Sequence, residues 1–256
     1  MYSAERVAEV RQLAEAGFNK SQISAQTGVS RAAISAWLHG HDPGSGFVKR
    51  AFSCIACGGT AGPFPALTHA AYAYLAGMYL GDGSIASHRR GVKRLVITLD
   101  RAYPVIIDEC AAAMALVVPM NKVTVIPMTT CKADNVTAYS KHWPCLFPQH
   151  GPGLKHKRDI VLTAWQREII DQYPWRFLRG LVHSDGCRVM NPAVHPHRTY
   201  WYTRYSFSNR SGQIRDLFVE YCGKVGVECR QSNWWEISVS KRDSVALMDR
   251  HIGPKR

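Results

Sequence analysis

Apolar positions in the first forty residues recur at helical spacing and predict three short helices. In SAERVAEVRQLAEAG they follow a serine suited to a helix N-cap, and a glycine ends the pattern. The stretch NKSQISAQTGVSRAAISAWLHG predicts two further helices separated by a turn at Gly28, the second capped by Ser30. This order is typical of a helix-turn-helix unit, placed at residues 1–44, in which Arg31 and Ser35 would face a DNA major groove. A small helical bundle used for packing or dimerisation would show the same pattern.

Beyond residue 66 the pattern changes to alternating helices and strands, and their order occurs twice. In each set a largely apolar helical run precedes two strand-like stretches, a helix, two more strand-like stretches and a final helical stretch. The strands are predicted at residues 84–89, 94–100, 122–128, 135–140, 187–191, 203–209, 227–231 and 234–240. Helices are predicted at 103–118, 212–226 and 242–253, and a further helical stretch closes the first set. The repetition predicts an α+β fold built from two similar halves.

Two matching nonapeptides open these halves. Residues 75–83, LAGMYLGDG, and residues 178–186, LRGLVHSDG, align without gaps and share leucine, aspartate and two glycines. The first shared glycine falls where two helices could cross closely, and helices packed in this way would bring Asp82 and Asp185 together at one end. A single aspartate after an apolar run is usually a helix stop or a cap, but two matched copies favour a shared site. Paired carboxylates are ligands for hard divalent ions such as Mg2+.

These nonapeptides resemble the paired motifs of the LAGLIDADG homing endonucleases, specifically the single-chain type that carries two motifs. The resemblance covers about residues 67–256. It implies a pseudo-twofold, duplicated αββαββα fold in which the two motif helices form the interface between the halves. The implied division is repeat 1 at residues 67–149, an inter-repeat linker at 150–170 and repeat 2 at 171–256. Two motifs in one chain also imply a monomeric catalytic unit.

The same resemblance implies how DNA and metal would be bound. Each half would lay a curved antiparallel sheet along the major groove of double-stranded DNA. Asp82 and Asp185, together with the adjacent Gly81 and Ser184, would bind Mg2+ or another divalent ion that supports phosphodiester cleavage. The resemblance therefore implies a site-specific, metal-dependent endonuclease that cuts both strands of DNA.

A second agreement between the halves is a Ser-Lys pair at the end of each last strand. AYSKHW and SVSKRD place Lys141 and Lys241 at 59 and 56 residues after the motif acids (141 − 82 and 241 − 185). By the resemblance, a basic residue in this neighbourhood approaches the scissile phosphate and stabilises developing charge. Both lysines are therefore predicted as catalytic residues, although a lysine after a strand is also an ordinary solvated residue.

Charge along the chain indicates a polyanionic partner. The sequence contains 32 Lys and Arg against 19 Asp and Glu, a net charge of +13. Residues 1–45 hold four basic and four acidic residues, so the whole excess lies in residues 46–256. An excess of this size confined to one region favours nucleic acid as the partner over a generically basic surface.

The candidate groove-reading residues lie in the strands that follow each motif. Residues 87–94 and 195–210 mix cationic and aromatic side chains. Their arginines suit bidentate contacts with guanine or contacts with phosphate. The predicted DNA-binding residues here are Arg89, Arg94, Arg188 and Arg204. The alternatives are solvated loop cations and, for Trp201, Trp234 and Trp235, core aromatics.

Residues 45–66 are rich in glycine and proline and predict a linker. Within it, Cys54-x-x-Cys57 has the spacing of half a zinc site. The nearby histidines that would complete a tetrahedral set are His39, His41 and His69. Because a second C-x-x-C pair is lacking, the sequence favours a structural turn here over bound Zn2+.

The remaining composition bears on compartment. The eight cysteines are scattered, and the chain opens with no signal-peptide pattern and contains no apolar stretch of bilayer length. We expect an intracellular, cytoplasmic protein, associated with the nucleoid if bacterial, with no membrane partner.

Two other functions are compatible with parts of this pattern. A non-cleaving, DNA-binding transcriptional regulator on a LAGLIDADG scaffold would explain the helix-turn-helix, whereas the two motif acids argue for catalysis. An RNA maturase would use the same basic surface on folded RNA, but a helix-turn-helix would be unusual there.

Overall fold

The computed structural model describes residues 3–39, 54, 56 and 66–256. These residues belong to two compact units. Most of the predicted linker, including Cys57, and also His41 lie outside the described residues. Among the described helices, none has both the length and the apolar composition that crossing a bilayer requires.

The N-terminal unit is a three-helix bundle. Its helices are α1 (Ala4–Glu15), α2 (Lys20–Thr27) and α3 (Arg31–Leu38). The predicted caps form: Ser3 accepts from the Arg6 amide and Ser30 from the Ala33 amide. Gly28 ends α2 with a φ of +69°, a conformation that favours glycine and lets α3 follow after a tight turn. The unit has its own core, formed by Val7, Val10, Ile23, Val29, Ile34 and Trp37.

The larger unit begins with repeat 1, which follows the predicted order of elements. Its helices are α4 (Ala66–Asp82), α5 (Pro104–Val117) and α6 (Trp143–Leu146). Its strands are β1 (Gly83–Ser87), β2 (Lys93–Asp100), β3 (Val123–Pro127) and β4 (Ala133–Ser140). They form an antiparallel sheet in the order β1-β2-β4-β3. The final helical stretch predicted for this repeat is a single turn, α6.

Repeat 2 has the same topology and is preceded by a helix, α7 (Ala164–Gln172). Its helices are α8 (Pro174–Asp185), α9 (Gly212–Lys224) and α10 (Arg242–His251). Its strands are β5 (Gly186–His195), β6 (Arg198–Ser208), β7 (Arg230–Asn233) and β8 (Glu236–Val239), in the order β5-β6-β8-β7. The duplicated αββαββα architecture is confirmed. The β5–β6 hairpin is longer than its counterpart β1–β2.

The two motif helices cross at the shared glycines. A Cβ atom added to Gly77 would lie 2.5 Å from the Phe177 carbonyl oxygen, and one added to Gly180 would lie 2.2 Å from the Tyr74 carbonyl oxygen. Side chains cannot be accommodated at such distances, so backbone packs directly on backbone, as the sequence predicts. Residues 71–80 of α4 are all buried, which explains why this helix is apolar on every side.

An ion-pair cluster also connects the halves. Glu109 on α5 accepts hydrogen bonds from Arg179 on α8 at 2.9 and 3.0 Å and from Arg176 at 2.9 Å. Burial by itself raises the pKa of Glu109, but the hydrogen bonds from Arg179 and the charges of both arginines outweigh it and hold the pKa below its ordinary value. The ionised Glu109 and its two arginine partners therefore connect α5 of repeat 1 to α8, the motif helix of repeat 2.

Candidate metal and nucleic-acid site

The two motif aspartates lie at one end of the crossed helices. Asp82 is the last residue of α4 and Asp185 the last residue of α8. A Cβ atom added to Gly81 would lie 2.2 Å from Ser184 Oγ and 2.9 Å from Asp185 Oδ2. The helix ends are therefore in contact, and the structure brings the predicted metal-binding segments of both motifs together.

Both motif carboxyl groups have raised pKa values. Asp82 is exposed, yet the protein around its carboxyl group partly desolvates it. This desolvation, followed by the charge of Asp185, raises the pKa of Asp82 to about 6. Burial likewise raises the pKa of Asp185, although the hydrogen bond from Asn209 acts against it. When two carboxyl groups have pKa values raised in this way, a positive charge placed between them stabilises their ionised forms.

Two lysines supply part of that charge, and sequence reasoning missed both. Lys155 Nζ donates to three successive carbonyl oxygens at the end of α4, the last being Gly81 O at 2.9 Å. Lys255 Nζ donates to Ser184 O at 3.1 Å, next to the end of α8. Burial lowers the pKa of Lys155 to about 8 and also lowers the pKa of Lys255, while the motif aspartates act in the opposite direction.

The two lysines predicted as catalytic take other positions. Lys141 is exposed after β4, and Lys241 precedes α10 and forms an ion pair with Glu228. The lysine charges that act on Asp82 and Asp185 come from Lys155 and Lys255. In each repeat, the lysine whose charge acts on the motif acids lies 14 residues further along the chain than the lysine predicted from the sequence (155 − 141 and 255 − 241).

A sequence signal for these lysines was present. A Gly-Pro pair precedes each of them, in HGPGLK and in HIGPK. The intervals from the motif acids, 73 and 70 residues (155 − 82 and 255 − 185), differ by three, as do those of the lysines predicted first.

Asn209 is a further residue that the sequence did not reveal. Its Nδ2 donates to Asp185 Oδ2 at 2.6 Å and so orients that carboxylate. The strand register places Gly83 opposite Ile97 and Gly186 opposite Phe207, so the repeat 1 equivalent of Asn209 is the buried Leu99. The two halves of the site are thus not identical, and the carboxylate of repeat 2 has an extra polar partner.

The donor set suits a hard divalent cation. Two carboxylates from separate helix ends converge, and the partial burial that raises their pKa values would be offset by a bound ion. The carbonyl oxygens of Gly81 and Ser184 lie beside them but accept hydrogen bonds from Lys155 and Lys255. The role of these carbonyl groups as metal ligands stays a prediction, as does that of the two aspartates, whose carboxylates suit a hard divalent ion.

The repeat 1 sheet presents an open face that carries predicted groove-reading residues. In β2 the residues Leu95, Ile97 and Leu99 are buried, so Arg94 points to the opposite face. Arg94 Nε donates to Thr137 Oγ1 at 2.9 Å, and its guanidinium lies 5.9 Å from the centre of the Tyr139 ring. Arg89 is exposed in the turn that connects β1 and β2.

In repeat 2 the two predicted arginines lie on different faces. Arg204 has the opposite orientation to the buried Tyr205 and therefore lies on the open face of the repeat 2 sheet. Its Nη2 lies 3.8 Å from Glu236 Oε1, and its buried Nε has no hydrogen-bond partner among the described residues. Arg188 pairs with Tyr205 across the strands and points to the helices, where it forms hydrogen bonds of 2.6 and 2.9 Å with Asp249. The prediction that Arg188 reads the groove is therefore wrong.

Aromatic side chains extend this open region. Trp201, Trp234 and Trp235 are 62, 63 and 41% exposed, so the alternative that they are core residues is excluded. Trp234 and Trp235 line a cleft with Arg210, and this cleft adjoins Asn209. Cationic and aromatic groups thus lie next to the carboxylate pair.

In the N-terminal unit the two predicted DNA-binding residues lie on α3. Arg31 is exposed, and the partly exposed Ser35 hydroxyl accepts a hydrogen bond of 3.0 Å from Lys20 Nζ. Both lie outside the core of the bundle, which suits a helix whose outer face is available for contact.

The zinc candidates are placed differently from the prediction. Cys54 belongs to the larger unit and lies beside His142 and Cys145 at the end of repeat 1. His39 is on the N-terminal unit, where its Nδ1 lies 2.6 Å from Ser35 O. His69 is on α4, and His41 is outside the described residues.

Comparison with known proteins identifies the fold. No protein-family model and no curated protein sequence matches the chain. A variant of the homing endonuclease I-DmoI, solved with its target DNA in the presence of magnesium, aligns with 73% of this chain and 98% of its own at 14% identity and a TM-score of 0.50. The LAGLIDADG meganuclease I-AabMI, bound to uncleaved DNA, aligns with 70% of this chain and 83% of its own at 11% identity and a TM-score of 0.43. The likeness to I-DmoI confirms the predicted LAGLIDADG fold.

Proposed function

We propose that the chain is a member of the LAGLIDADG family and a metal-dependent endonuclease that recognises and cleaves double-stranded DNA. The observation that carries the proposal is the convergence of Asp82 and Asp185 at the crossing of two glycine-packed helices. A capping role would account for either aspartate alone. It would not account for a matched pair, flanked by Lys155 and Lys255, beside open sheet faces with arginine and aromatic groups.

In this function Asp82 and Asp185 would bind Mg2+ or a similar divalent ion. When bound, such an ion polarises the scissile phosphate and lowers the pKa of a coordinated water. Asn209 keeps the Asp185 carboxylate oriented through its 2.6 Å hydrogen bond. The ammonium groups of Lys155 and Lys255 would stabilise charge that develops on the phosphate oxygens.

DNA would lie along the open faces of the two sheets. Arg94 and Arg204 have the orientation required for contact with bases or phosphates. The positive excess of the larger part of the chain would supply most of the affinity, which should therefore fall steeply with salt.

The test is cleavage of plasmids that carry either DNA flanking the gene of this protein or a randomised target library, with and without Mg2+. We expect Mg2+-dependent linear products, lost in Asp82→Asn and Asp185→Asn but retained in Asp108→Asn, a matched control at an exposed position of α5. DNA cleavage that survives both motif substitutions, or binding without any cleavage by the unmodified protein, would overturn the nuclease proposal.

A DNA-binding regulator is the second candidate, favoured by the N-terminal bundle with its α2–Gly28–α3 turn. It predicts sequence-specific binding that is unaffected by Asp82→Asn and produces no cut strands. The same plasmids, analysed by binding and by strand cleavage, separate the two functions.

A further inference from the structure

A second cluster of metal-binding side chains lies in repeat 1. Cys54, His142 and Cys145 each offer one ligand atom, and these three atoms lie within 4.8 Å of one another. Cys54 Sγ is 3.5 Å from Cys145 Sγ, and Cys145 Sγ is 3.7 Å from His142 Nδ1. Cys54 and Cys145 are 91 positions apart in the chain, so the fold rather than the local sequence brings them together.

These separations match a tetrahedral zinc site. With Zn–S bonds of about 2.3 Å and Zn–N bonds of about 2.0 Å, neighbouring ligand atoms in a tetrahedron are roughly 3.5 to 3.8 Å apart. A disulfide would instead require the two sulfur atoms to lie about 2.05 Å apart. The observed sulfur–sulfur distance of 3.5 Å fits two thiolates that share one ion.

The surrounding structure holds two of the ligands rigidly. His142 and Cys145 flank Trp143, whose indole is buried and donates to the Ala138 carbonyl oxygen at 2.9 Å. Leu146 is also buried, and its carbonyl oxygen accepts a 2.7 Å hydrogen bond from Tyr72 on α4. The single turn of α6 is therefore fixed in the core, with its two ligand side chains directed to Cys54.

We propose that Cys54, His142 and Cys145 form a structural Zn2+ site. Two sulfur donors and one imidazole favour Zn2+ over the hard ions that suit the motif aspartates. Binding would displace the thiol proton that Cys145 donates to the His142 carbonyl oxygen, so zinc uptake releases protons.

The site would attach the chain ahead of the first motif helix to the end of repeat 1. Cys54 lies 12 positions before Ala66, where α4 begins (66 − 54). A bound ion would therefore leave residues 40–53 as the connection between α3 and the anchored point. Shortening a connection raises the effective concentration of one DNA-binding unit near the other. This role is independent of whether the motif aspartates support cleavage.

The experiment measures zinc in the full chain, purified under reducing conditions after reconstitution with zinc sulfate. We expect about one tightly held ion per chain, and replacement by Co2+ should give a thiolate-to-cobalt charge-transfer band. Cys54→Ser, Cys145→Ser and His142→Ala should each lose the ion, whereas His142→Cys should retain it because a thiolate replaces the imidazole.

Two controls separate this site from other effects. Cys131→Ser removes an exposed thiol that lies beside Met128 Sδ, and Asp82→Asn alters the motif site; both should keep the zinc. Absence of zinc from the reconstituted protein would overturn the proposal, as would a Cys54–Cys145 disulfide in the reduced preparation or zinc retained by Cys54→Ser and Cys145→Ser. None of these readouts depends on DNA cleavage.

Discussion

At the scale of single residues, Lys155 provides a direct test of the catalytic arrangement. Its ammonium group caps the end of α4 and acts on both motif aspartates. We expect Lys155→Met to lower the cleavage rate by roughly 10²- to 10³-fold, the usual effect of removing one group that stabilises developing charge. DNA affinity should change little, because many other cations contribute to it. Single-turnover cleavage and equilibrium binding measure the two effects separately.

The matched control is Lys157→Met, since Lys157 is exposed and belongs to the same segment. This variant should cleave at the unmodified rate. A denaturation midpoint for Lys155→Met is needed as well, because the lysine also satisfies carbonyl oxygens at a helix end. If Lys155→Met is folded and cleaves normally, the residue has no part in the reaction.

The residues that could be found from sequence were those that the duplication reveals. Asp82 and Asp185 occupy equal positions in two similar motifs, so the comparison within the chain identifies them. Lys155 and Lys255 lie in glycine- and proline-rich segments without periodicity, where the position of a side chain depends on the whole fold. Arg188 shows the same limit: one step in strand register decides whether an arginine points to the open face or to Asp249.

At the scale of elements, the cluster of Glu109 with Arg176 and Arg179 connects α5 to α8 and makes stability depend on pH. The pKa of Glu109 is lowered in the folded protein, so its ionised form stabilises the fold at any pH above the unfolded value. This contribution is lost as the pH falls through the lowered, folded-state pKa. We expect Glu109→Gln to reduce the free energy of unfolding by about 2 kcal/mol at pH 7.

Urea denaturation at pH 7 and at pH 3 tests this pH dependence. The difference between Glu109→Gln and the unmodified protein should shrink at the lower pH, because the stabilisation from the ionised glutamate declines as the pH falls towards its lowered, folded-state pKa. Glu168→Gln, at an outward position of α7, is the matched control and should behave like the unmodified protein at both values. A difference that is equal at both values would mean that Glu109 acts through packing rather than charge.

Helices and strands were predicted more reliably than their ends. The apolar period of α5 and the strand–strand–helix order appear in both repeats, so each copy supports the other. The β5–β6 hairpin continues well beyond its predicted strands, because residues 198–202 at the start of β6 are all exposed and show no alternation of buried and exposed positions. Pro192 suggests a strand end, yet it is tolerated because β5 is an edge strand.

At the scale of the whole molecule, the separation of charge between the two units predicts how each contributes to DNA binding. Residues 1–45 have equal numbers of acidic and basic residues, and the excess of 13 positive charges lies beyond them. The slope of log affinity against log salt counts the phosphates neutralised, so it should come mainly from residues 46–256. A helix-turn-helix unit would add base contacts and a raised local concentration rather than many phosphate contacts.

We therefore expect removal of residues 1–44 to weaken specific binding by roughly 10²-fold, within the range for tethered units, while changing the salt slope by only about one or two phosphates. Titration of a labelled target at several salt concentrations, with the full chain and with residues 45–256, measures both quantities. Arg31→Ala in the full chain should reproduce part of the loss, whereas Arg6→Ala should not, because Arg6 lies on α1 and pairs with Glu9. A large change in the salt slope with little change in sequence specificity would mean that the N-terminal unit mainly contacts DNA phosphates. Unchanged DNA binding would mean that this unit contacts something other than DNA.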